Sequence, residues 1–308
     1  MSDTQRAAGY DVIGDVHGHA AALVELLATM GYAERDGAWR HDTRQAVFVG
    51  DLIDRGPAQL DCYRIARAMV DAGSAHIVAG NHEFNAAAFH TPDPDRPGTH
   101  LRPHSDKNRN QHQTFLDQVG EGSRCHDEII DWFSTLPLWF ERDGLRVVHA
   151  CWDAAAIAVV GDRLSPGLVE AASRKGSAEY EAIETLLKGP EIPIPVPYRD
   201  KEGTERHRAR FAWWEPEADR LPVAAVIPGP DGPTMPDDVI DPPVAPYRDE
   251  VPVVYGHYWR SGPPAPSGRH TACVDYSVAK GGPLVAYRWS GESTLSGDAF
   301  VSAGGPVR

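Results

Sequence analysis

Short apolar runs recur along the chain, and most end on glycine followed by a polar residue. Tyr10-Asp11-Val12-Ile13 runs into Gly14-Asp15, Ala46-Val47-Phe48-Val49 into Gly50-Asp51, and His76-Ile77-Val78-Ala79 into Gly80-Asn81. Later, Leu145-Arg146-Val147-Val148 meets His149, and Val251-Pro252-Val253-Val254-Tyr255 meets Gly256-His257. Runs of this length, rich in β-branched residues and bounded by turn residues, predict short buried strands. Between the early strands the period lengthens. Residues 20–30 put Leu23, Leu26, Leu27 and Met30 on one face, and residues 60–70 do the same with Tyr63, Ile65, Ala66 and Met69. Strand–helix alternation at this spacing predicts βα units around a central sheet, an α/β fold. The last two strands, 271–275 and 284–289, have no helix between them. Gly281-Gly282-Pro283 predicts a hairpin-like turn there, adding an antiparallel part to the sheet.

Two stretches interrupt the alternation and read as insertions in a single domain spanning 1–308. The first, about 91–124, opens with Pro92, Pro94 and Pro97 and is rich in His, Asn and Arg; the second, about 188–250, is crowded with proline and charge. Such loops shape substrate pockets as often as they are surface excursions. In the first, His100, His104, Lys107, Asn108, Arg109 and His112 cluster as candidates for phosphate or polar-substrate recognition, a solvated face being the plainer reading. In the second, residues 199–210 are locally basic, and Trp213-Trp214 reads as core packing rather than a base-stacking platform. Residues 290–308 are rich in Gly and Ser and predict a fraying end.

Composition narrows the classes of function. Over 308 residues, 30 Lys and Arg stand against 44 Asp and Glu, a net charge of −14. That balance disfavours a nucleic-acid partner or an anionic membrane surface, whose footprint is basic. Twenty-nine glycines and 26 prolines exclude a helical bundle as the main architecture. Cys62, Cys125, Cys151 and Cys273 lie far apart with no C-x-x-C spacing, which argues against a disulfide framework and suits the cytoplasm. Residues 1–9 are polar, without the apolar core of a signal peptide. No apolar run approaches the roughly 18 residues that would span a bilayer. Nothing in the sequence signals an oligomeric state.

The predicted strand exits present Asp15, His17, Asp51, Asn81, His149 and His257. Carboxylate, amide and imidazole donors suit divalent metals such as Mn, Zn or Fe, and ligands of α/β sheets gather at the carboxyl ends of strands. The local words are Gly14-Asp15-Val16-His17-Gly18, Gly50-Asp51-Leu52-Ile53-Asp54-Arg55-Gly56 and Gly80-Asn81-His82-Glu83. A carboxylate such as Asp51 can be shared by two metals. Arg55 can donate two parallel hydrogen bonds to a phosphate.

In this order, followed by Val148-His149-Ala150 and Tyr255-Gly256-His257-Tyr258, the three words resemble the calcineurin-like metallophosphoesterase superfamily. Within it they resemble the phosphoprotein phosphatase family, whose bacterial members include serine/threonine phosphatases and symmetrical diadenosine tetraphosphatases. The resemblance runs from residue 12 to about 289, interrupted by the two insertions. It implies a two-sheet α/β sandwich flanked by helices, with a dimetal site at the C-terminal ends of the strands. It further implies two divalent ions, manganese first, with Fe, Zn, Ni or Co accepted by the same ligands. Asp15 and His17 would bind one metal, Asp51 would bridge, and Asn81, His149 and His257 would bind the other. His82 would be the general acid oriented by Asp54, with metal-bound hydroxide as nucleophile. Arg55 would hold the phosphate, with His104, Lys107, Asn108, Arg109 and His112 as further substrate-binding candidates.

The implied activity is phosphomonoester hydrolysis of the serine/threonine protein phosphatase type. The alternative is a dinucleoside polyphosphate (diadenosine tetraphosphate) hydrolase, and a further alternative is a catalytically silent metal-binding interaction module. The substrate is accordingly a phosphoprotein, a nucleotide or a small phosphate ester. Cys273-Val274-Asp275 with Gly281-Gly282-Pro283-Leu284 is similar to the closing segment of the tetraphosphatases, whereas Glu83 leans towards the phosphatase branch. The chain departs from the family pattern where Ala79 replaces an arginine usual in its protein phosphatases, where Ala150 replaces a glycine, and where Trp259 replaces the second histidine of a G-H-x-H word. Arg163 is the candidate for the family's second phosphate-binding arginine.

Overall fold

Alternation along the first strand sets the architecture. Tyr10 and Val12 face one side of their sheet, Asp11 and Ile13 the other, and all four are buried. The computed structural model describes residues 8–199, 203–227 and 232–305. In chain order the strands are β1 (Gly9–Ile13), β2 (Ala33–Arg35), β3 (Ala38–Arg40), β4 (Arg44–Phe48), β5 (Ala75–Ile77), β6 (Trp139–Arg142), β7 (Leu145–Val148), β8 (Glu191–Arg199), β9 (Glu205–Phe211), β10 (Ala225–Val226), β11 (Val253–Tyr255), β12 (Thr271–Cys273), β13 (Leu284–Trp289) and β14 (Phe300–Ala303). The helices are α1 (Ala20–Thr29), α2 (Gln59–Asp71), α3 (Asn81–His90), α4 (Asp106–Val119), α5 (Arg124–Phe133), α6 (Ala154–Val160), α7 (Pro166–Ala171), α8 (Ala178–Lys188) and α9 (Leu221–Ala224).

Two sheets carry the fold. One has the order β14-β13-β1-β4-β5, the other β12-β11-β7-β6. Val12, Val47 and Val49 of the first interdigitate with Phe140, Val147 and Val254 of the second in one apolar layer. The outer face of the first sheet, with Ile13 and Phe48, packs on Leu23, Leu26 and Leu27 of α1 and on Ala66 and Met69 of α2. The outer face of the second packs Val148 and Tyr255 on Leu186 of α8 and on Trp213. Each sheet is therefore buried on both sides, which is why its strands read as continuous apolar runs. This is the two-sheet α/β sandwich flanked by helices that the motif resemblance implied.

Register places the strand exits together. β1 pairs in parallel with β4, with Val12 opposite Val47, and β4 pairs in parallel with β5. In the second sheet β7, β11 and β12 are also parallel, with Val148 opposite Tyr255 and Tyr255 opposite Cys273. All of these strands except β12 end at one of the ligand-bearing words.

Two expectations are corrected. Residues 281–283 do not close a hairpin, because β12 and β13 belong to different sheets. A 3-10 turn at Val278–Lys280 and left-handed Gly281 carry the chain across instead, and β13 pairs antiparallel with β1. The C-terminal stretch does not fray: β14 pairs with β13, Leu284 opposite Ala303. Residues 306–308 of that stretch lie outside the described residues, as do 1–7 of the polar N-terminal segment and 200–202 of the basic run.

Both long stretches have structure of their own. The first contains α4, capped by Ser105 accepting from the Asn108 amide and ended at left-handed Gly120. The second forms the β8–β9 hairpin with β10 beside it. Trp213 then drives the second stretch into the core, fully buried and donating from Nε1 to the Ala150 carbonyl at 2.9 Å, one residue past His149. No helix among the described residues is long and apolar enough to cross a membrane.

This anchoring predicts a graded loss. Trp213→Phe, which strips the Ala150 carbonyl of its donor, should cost about 1–2 kcal/mol. Trp213→Ala should cost about 3–5 kcal/mol through the cavity it opens. Urea unfolding should show the lower midpoint with unchanged slope. Midpoints equal to the wild type would make residues 188–250 a surface excursion.

Candidate active site

Where the two sheets meet, their strand ends hold a cluster of acceptors around Asp51. The Asp51 Oδ2 atom lies 3.5 Å from His149 Nε2, 3.6 Å from His17 Nε2 and 3.8 Å from His82 Nε2. One ligand atom each from His17, Asp51 and His82 lies within 4.8 Å of the others, and so do those of Asp51, His149 and His257. Asp51 is thus common to two overlapping groups.

The tautomers follow from outer hydrogen bonds. His17 Nδ1 donates to the Ile53 carbonyl at 3.0 Å and His149 Nδ1 to the Val49 carbonyl at 2.8 Å. Each ring therefore turns an unprotonated Nε2 inward, as metal-binding imidazoles do. Burial keeps both neutral, with His17 lowered to about 3. His149 Nε2 also faces the Asn81 Oδ1 at 3.2 Å. The lone pairs of His17 Nε2, His149 Nε2, Asn81 Oδ1 and Asp51 Oδ2 thus converge with no donor among these four atoms, an arrangement that a cation satisfies. Asp15 supports the same reading. Burial, then Asp275 and Asp51, push its carboxyl well above the carboxylate range, a cost that positive charge alongside would remove. The donor set of Asp15, His17, Asp51, Asn81, His149 and His257 therefore fits divalent metal ions.

Local backbone geometry makes room for these groups. A Cβ at Gly80 would stand 2.2 Å from Asp51 Oδ1, and one at Gly256 would stand 2.1 Å from Asp15 Oδ1. Only glycine lets the two carboxylates sit where they do. His17, Asp51, Asp54, Arg55 and His257 all have positive φ. Non-glycine residues rarely adopt it, and five in one cluster mark a site held in place by its surroundings.

Glu83 is a main restraint, a role that its place in the third motif does not signal. Fully buried, it accepts from the backbone amides of Asp51 and Leu52, both at 2.8 Å, and of Gly80 at 2.9 Å. It thereby ties the second motif to the third and caps α3, whose first turn presents Asn81 and His82. Burial, and then Asp51, raise its carboxyl to about 7 against those donors.

The His82 ring is oriented by Asp54. Its Nδ1 donates to Asp54 Oδ2 at 2.5 Å, leaving Nε2 towards the cluster. Burial pulls the imidazolium down, but Asp51 and the Asp54 hydrogen bond outweigh it, so the net shift is upward. Asp54 has a second partner: His112, from α4, donates from Nδ1 to Asp54 Oδ1 at 2.8 Å. His112 is only 1% exposed, and its Nε2 has no partner between Phe89 and Phe115.

The other members of the first polar cluster do not converge on the site. His104 stacks on Phe89 and His100 and hydrogen-bonds the Phe89 carbonyl. Asn108 serves the α4 N-terminus by donating to the Pro103 carbonyl, Arg109 pairs with Glu121 through two bonds, and Lys107 is exposed in the first turn. Arg55 is exposed at the rim, close enough to His17 and His82 to disfavour their charged forms. Arg163 is elsewhere: it pairs with Asp162 and lines a surface cavity with His76, Trp132 and Trp139. Arg210 of β9 lies near the second histidine cluster but is spent on the end of α8, where its guanidinium donates to the Lys188 carbonyl and to the Gly189 carbonyl at 3.1 Å. After burial, its charge is the largest influence holding the His257 imidazolium down. Its own section of sequence is a run of alternating arginines, so nothing in the pattern singles it out.

Similarity to known proteins agrees with this geometry. The chain is similar to an asymmetrical bis(5'-nucleosyl)-tetraphosphatase of Halalkalibacterium halodurans, 46% identical over 74 residues, 24% of this chain and 30% of that relative's length. It is also similar to a symmetrical bis(5'-nucleosyl)-tetraphosphatase of Aromatoleum aromaticum, 30% identical over 204 residues, 66% of this chain and 60% of that one. The chain thus spans less than two thirds of the length of either relative. Among solved structures, a protein serine/threonine phosphatase of Saccharomyces cerevisiae superposes with a TM-score of 0.53 at 12% identity, covering 100% of this chain and 82% of that one, a likeness of fold. The calcineurin-like phosphoesterase family profile matches residues 10–258. The chain belongs to the calcineurin-like phosphoesterase family.

Proposed function

We propose that this protein is a dimetal phosphoester hydrolase, with hydrolysis of phosphomonoesters by the serine/threonine phosphatase chemistry as its basic reaction. The observation that carries the reading is the convergence of Asp51 with three imidazole Nε2 atoms beside a His82–Asp54 pair. Bound divalent ions, manganese first among those the donors accept, supply Lewis acidity and lower the pKa of water towards neutrality. Asp15 and His17 would hold one ion, Asn81, His149 and His257 the other, and Asp51 both. Arg55 supplies guanidinium charge for the phosphoryl oxygens. His82 Nε2 donates a proton to the leaving oxygen, and Asp54 fixes the ring and stabilises its charged form. His112 positions Asp54 and leaves Oδ2 for His82 alone.

A second reading, dinucleoside polyphosphate hydrolysis, is favoured by the names of the two bacterial relatives and by Ala79 at the position of an arginine usual in protein phosphatases. The intact His82, Asp54 and Arg55 weigh against a silent binding module. Four free cysteines, three of them buried, suit the reducing cytoplasm.

Three outcomes follow. Asp51→Asn should lower turnover of an aryl phosphate by at least about a hundredfold, because an amide is a poor bridging ligand; wild-type turnover would refute the shared-carboxylate design. His82→Ala should lose about 10²–10⁴-fold on an alkyl phosphate and far less on an aryl phosphate, whose leaving group needs little protonation. Equal losses would remove His82 as acid. His112→Phe keeps the packing but not the donor, so it should show a milder form of the same leaving-group bias, which His112→Asn should partly restore. A uniform loss on both substrates would make His112 merely structural.

A further inference from the structure

Three arginines show how this fold seats a guanidinium on a carboxylate: Arg44 ends on Asp11, Arg109 on Glu121 and Arg174 on Asp93. Arg102, in the first long stretch, is seated differently. It is half-buried, and its Nη2 donates to two neutral amide oxygens, Asn108 Oδ1 at 3.2 Å and Gln111 Oε1 at 3.1 Å. Among the described residues it makes no ion pair, and its Nε and Nη1 atoms have no partner. Amide oxygens orient a guanidinium without cancelling its charge. A covered cation is costly unless an anion meets it, and here 44 acidic side chains were available to supply one.

The backbone fixes where that charge stands. The Arg102 amide donates to the Ala88 carbonyl of α3 at 2.9 Å, and the amide of buried Leu101 donates to the Thr91 carbonyl at 3.0 Å. Asn108, Gln111 and His112 share one face of α4, being i, i+3 and i+4. Arg102 is therefore wedged between the helix whose first turn carries His82 and the helix whose His112 reaches Asp54. Burial works against its charge, and the Asp54 carboxylate works for it. Asp54 does not pair with it, because Oδ2 takes His82 and Oδ1 takes His112. Three N–H donors of Arg102 are thus left for an acceptor from outside the protein.

We propose that Arg102 is a second phosphoryl-binding side chain of the site, lent by the first long stretch. It donates to an oxygen of the phosphoryl group whose leaving oxygen takes the His82 proton. Arg55 approaches from the exposed rim, and Arg102 from the covered side, between α3 and α4. The neutral pair Asn108 and Gln111 holds the guanidinium ready, so little side-chain freedom is lost when the phosphate arrives. The assignment rests on the hydrolase reading above and adds the residue of residues 91–124 that touches the substrate.

The test titrates inorganic phosphate into the full chain loaded with manganese, by calorimetry, and follows 4-nitrophenyl phosphate and an alkyl phosphate as substrates. Arg102→Met should weaken phosphate about tenfold and raise KM for the aryl ester by a similar factor. The ratio of aryl to alkyl turnover should stay at its wild-type value, because His82, Asp54 and His112 keep their contacts. Arg102→Lys should recover part of the phosphate affinity, keeping the charge but not the fork. If Arg102→Met fails to fold, Arg102→Lys decides alone, by weaker phosphate or by unchanged phosphate. Unchanged phosphate affinity overturns the assignment and leaves the hydrolase reading standing. So does a shifted aryl-to-alkyl ratio, as in His112→Phe, which would make Arg102 a support for Asp54 or for α4. Wild-type protein that neither binds phosphate nor hydrolyses either ester overturns both readings.

Discussion

Four carboxylates, Asp15, Asp51, Glu83 and Asp275, are buried close together, and the rest of the structure is arranged around keeping them there. Buried charge is costly unless it is paired or hydrogen-bonded. Each carboxylate meets the cost differently. Glu83 takes three backbone amides, Asp275 takes two, Asp15 takes the His257 amide, and Asp51 stands among imidazoles. Burial still raises Asp275 to about 6 and Glu83 to about 7. The crowding makes sense as a cradle for positive charge. It also explains why the surrounding backbone is strained and why glycine occupies the points of closest approach.

Meeting that constraint takes both sheets. β1, β4 and β5 bring Asp15, Asp51 and Asn81 to one rim, and β7 and β11 bring His149 and His257 to the facing one. The bond from His149 Nδ1 to the Val49 carbonyl crosses between the two sheets at that rim. The long stretches are tied in as well. Trp213 locks the second beneath His149, and His112 of the first reaches the carboxylate that orients His82. Stability of the core and alignment of the site are therefore coupled through a few named contacts.

Much of this was legible in the sequence because the strands are short, apolar and end in chemistry. The apolar runs pointed to β1, β4, β5, β7, β11, β12 and β13 but not to β6 or β14, and the helical period pointed to α1 and α2 to within a residue or two. Long-range pairing was not legible. The 281–283 turn looks like a hairpin locally, yet β13 finds its partner in β1, far away in sequence. Likewise residues 290–305 look loose by composition, but β13 offers an edge to which β14 can pair. At the site, ligand types could be read from motifs, whereas partners could not. Within one dense run of polar residues, His112 points into an apolar pocket and Arg109 points to Glu121, and only packing separates them. Arg163 and Arg210 were indistinguishable for the same reason. Glu83 was visible as a motif letter, not as the clasp between two motifs.

Central to the account is that Asp51 is shared between two metal ions. Anomalous diffraction from crystals of the manganese-loaded protein tests this directly. The account predicts two peaks about 3.5–4 Å apart on either side of the Asp51 carboxylate, one near His17 and Asp15, the other near Asn81, His149 and His257. A single peak, or two peaks of which only one lies within bonding distance of Asp51, would contradict it.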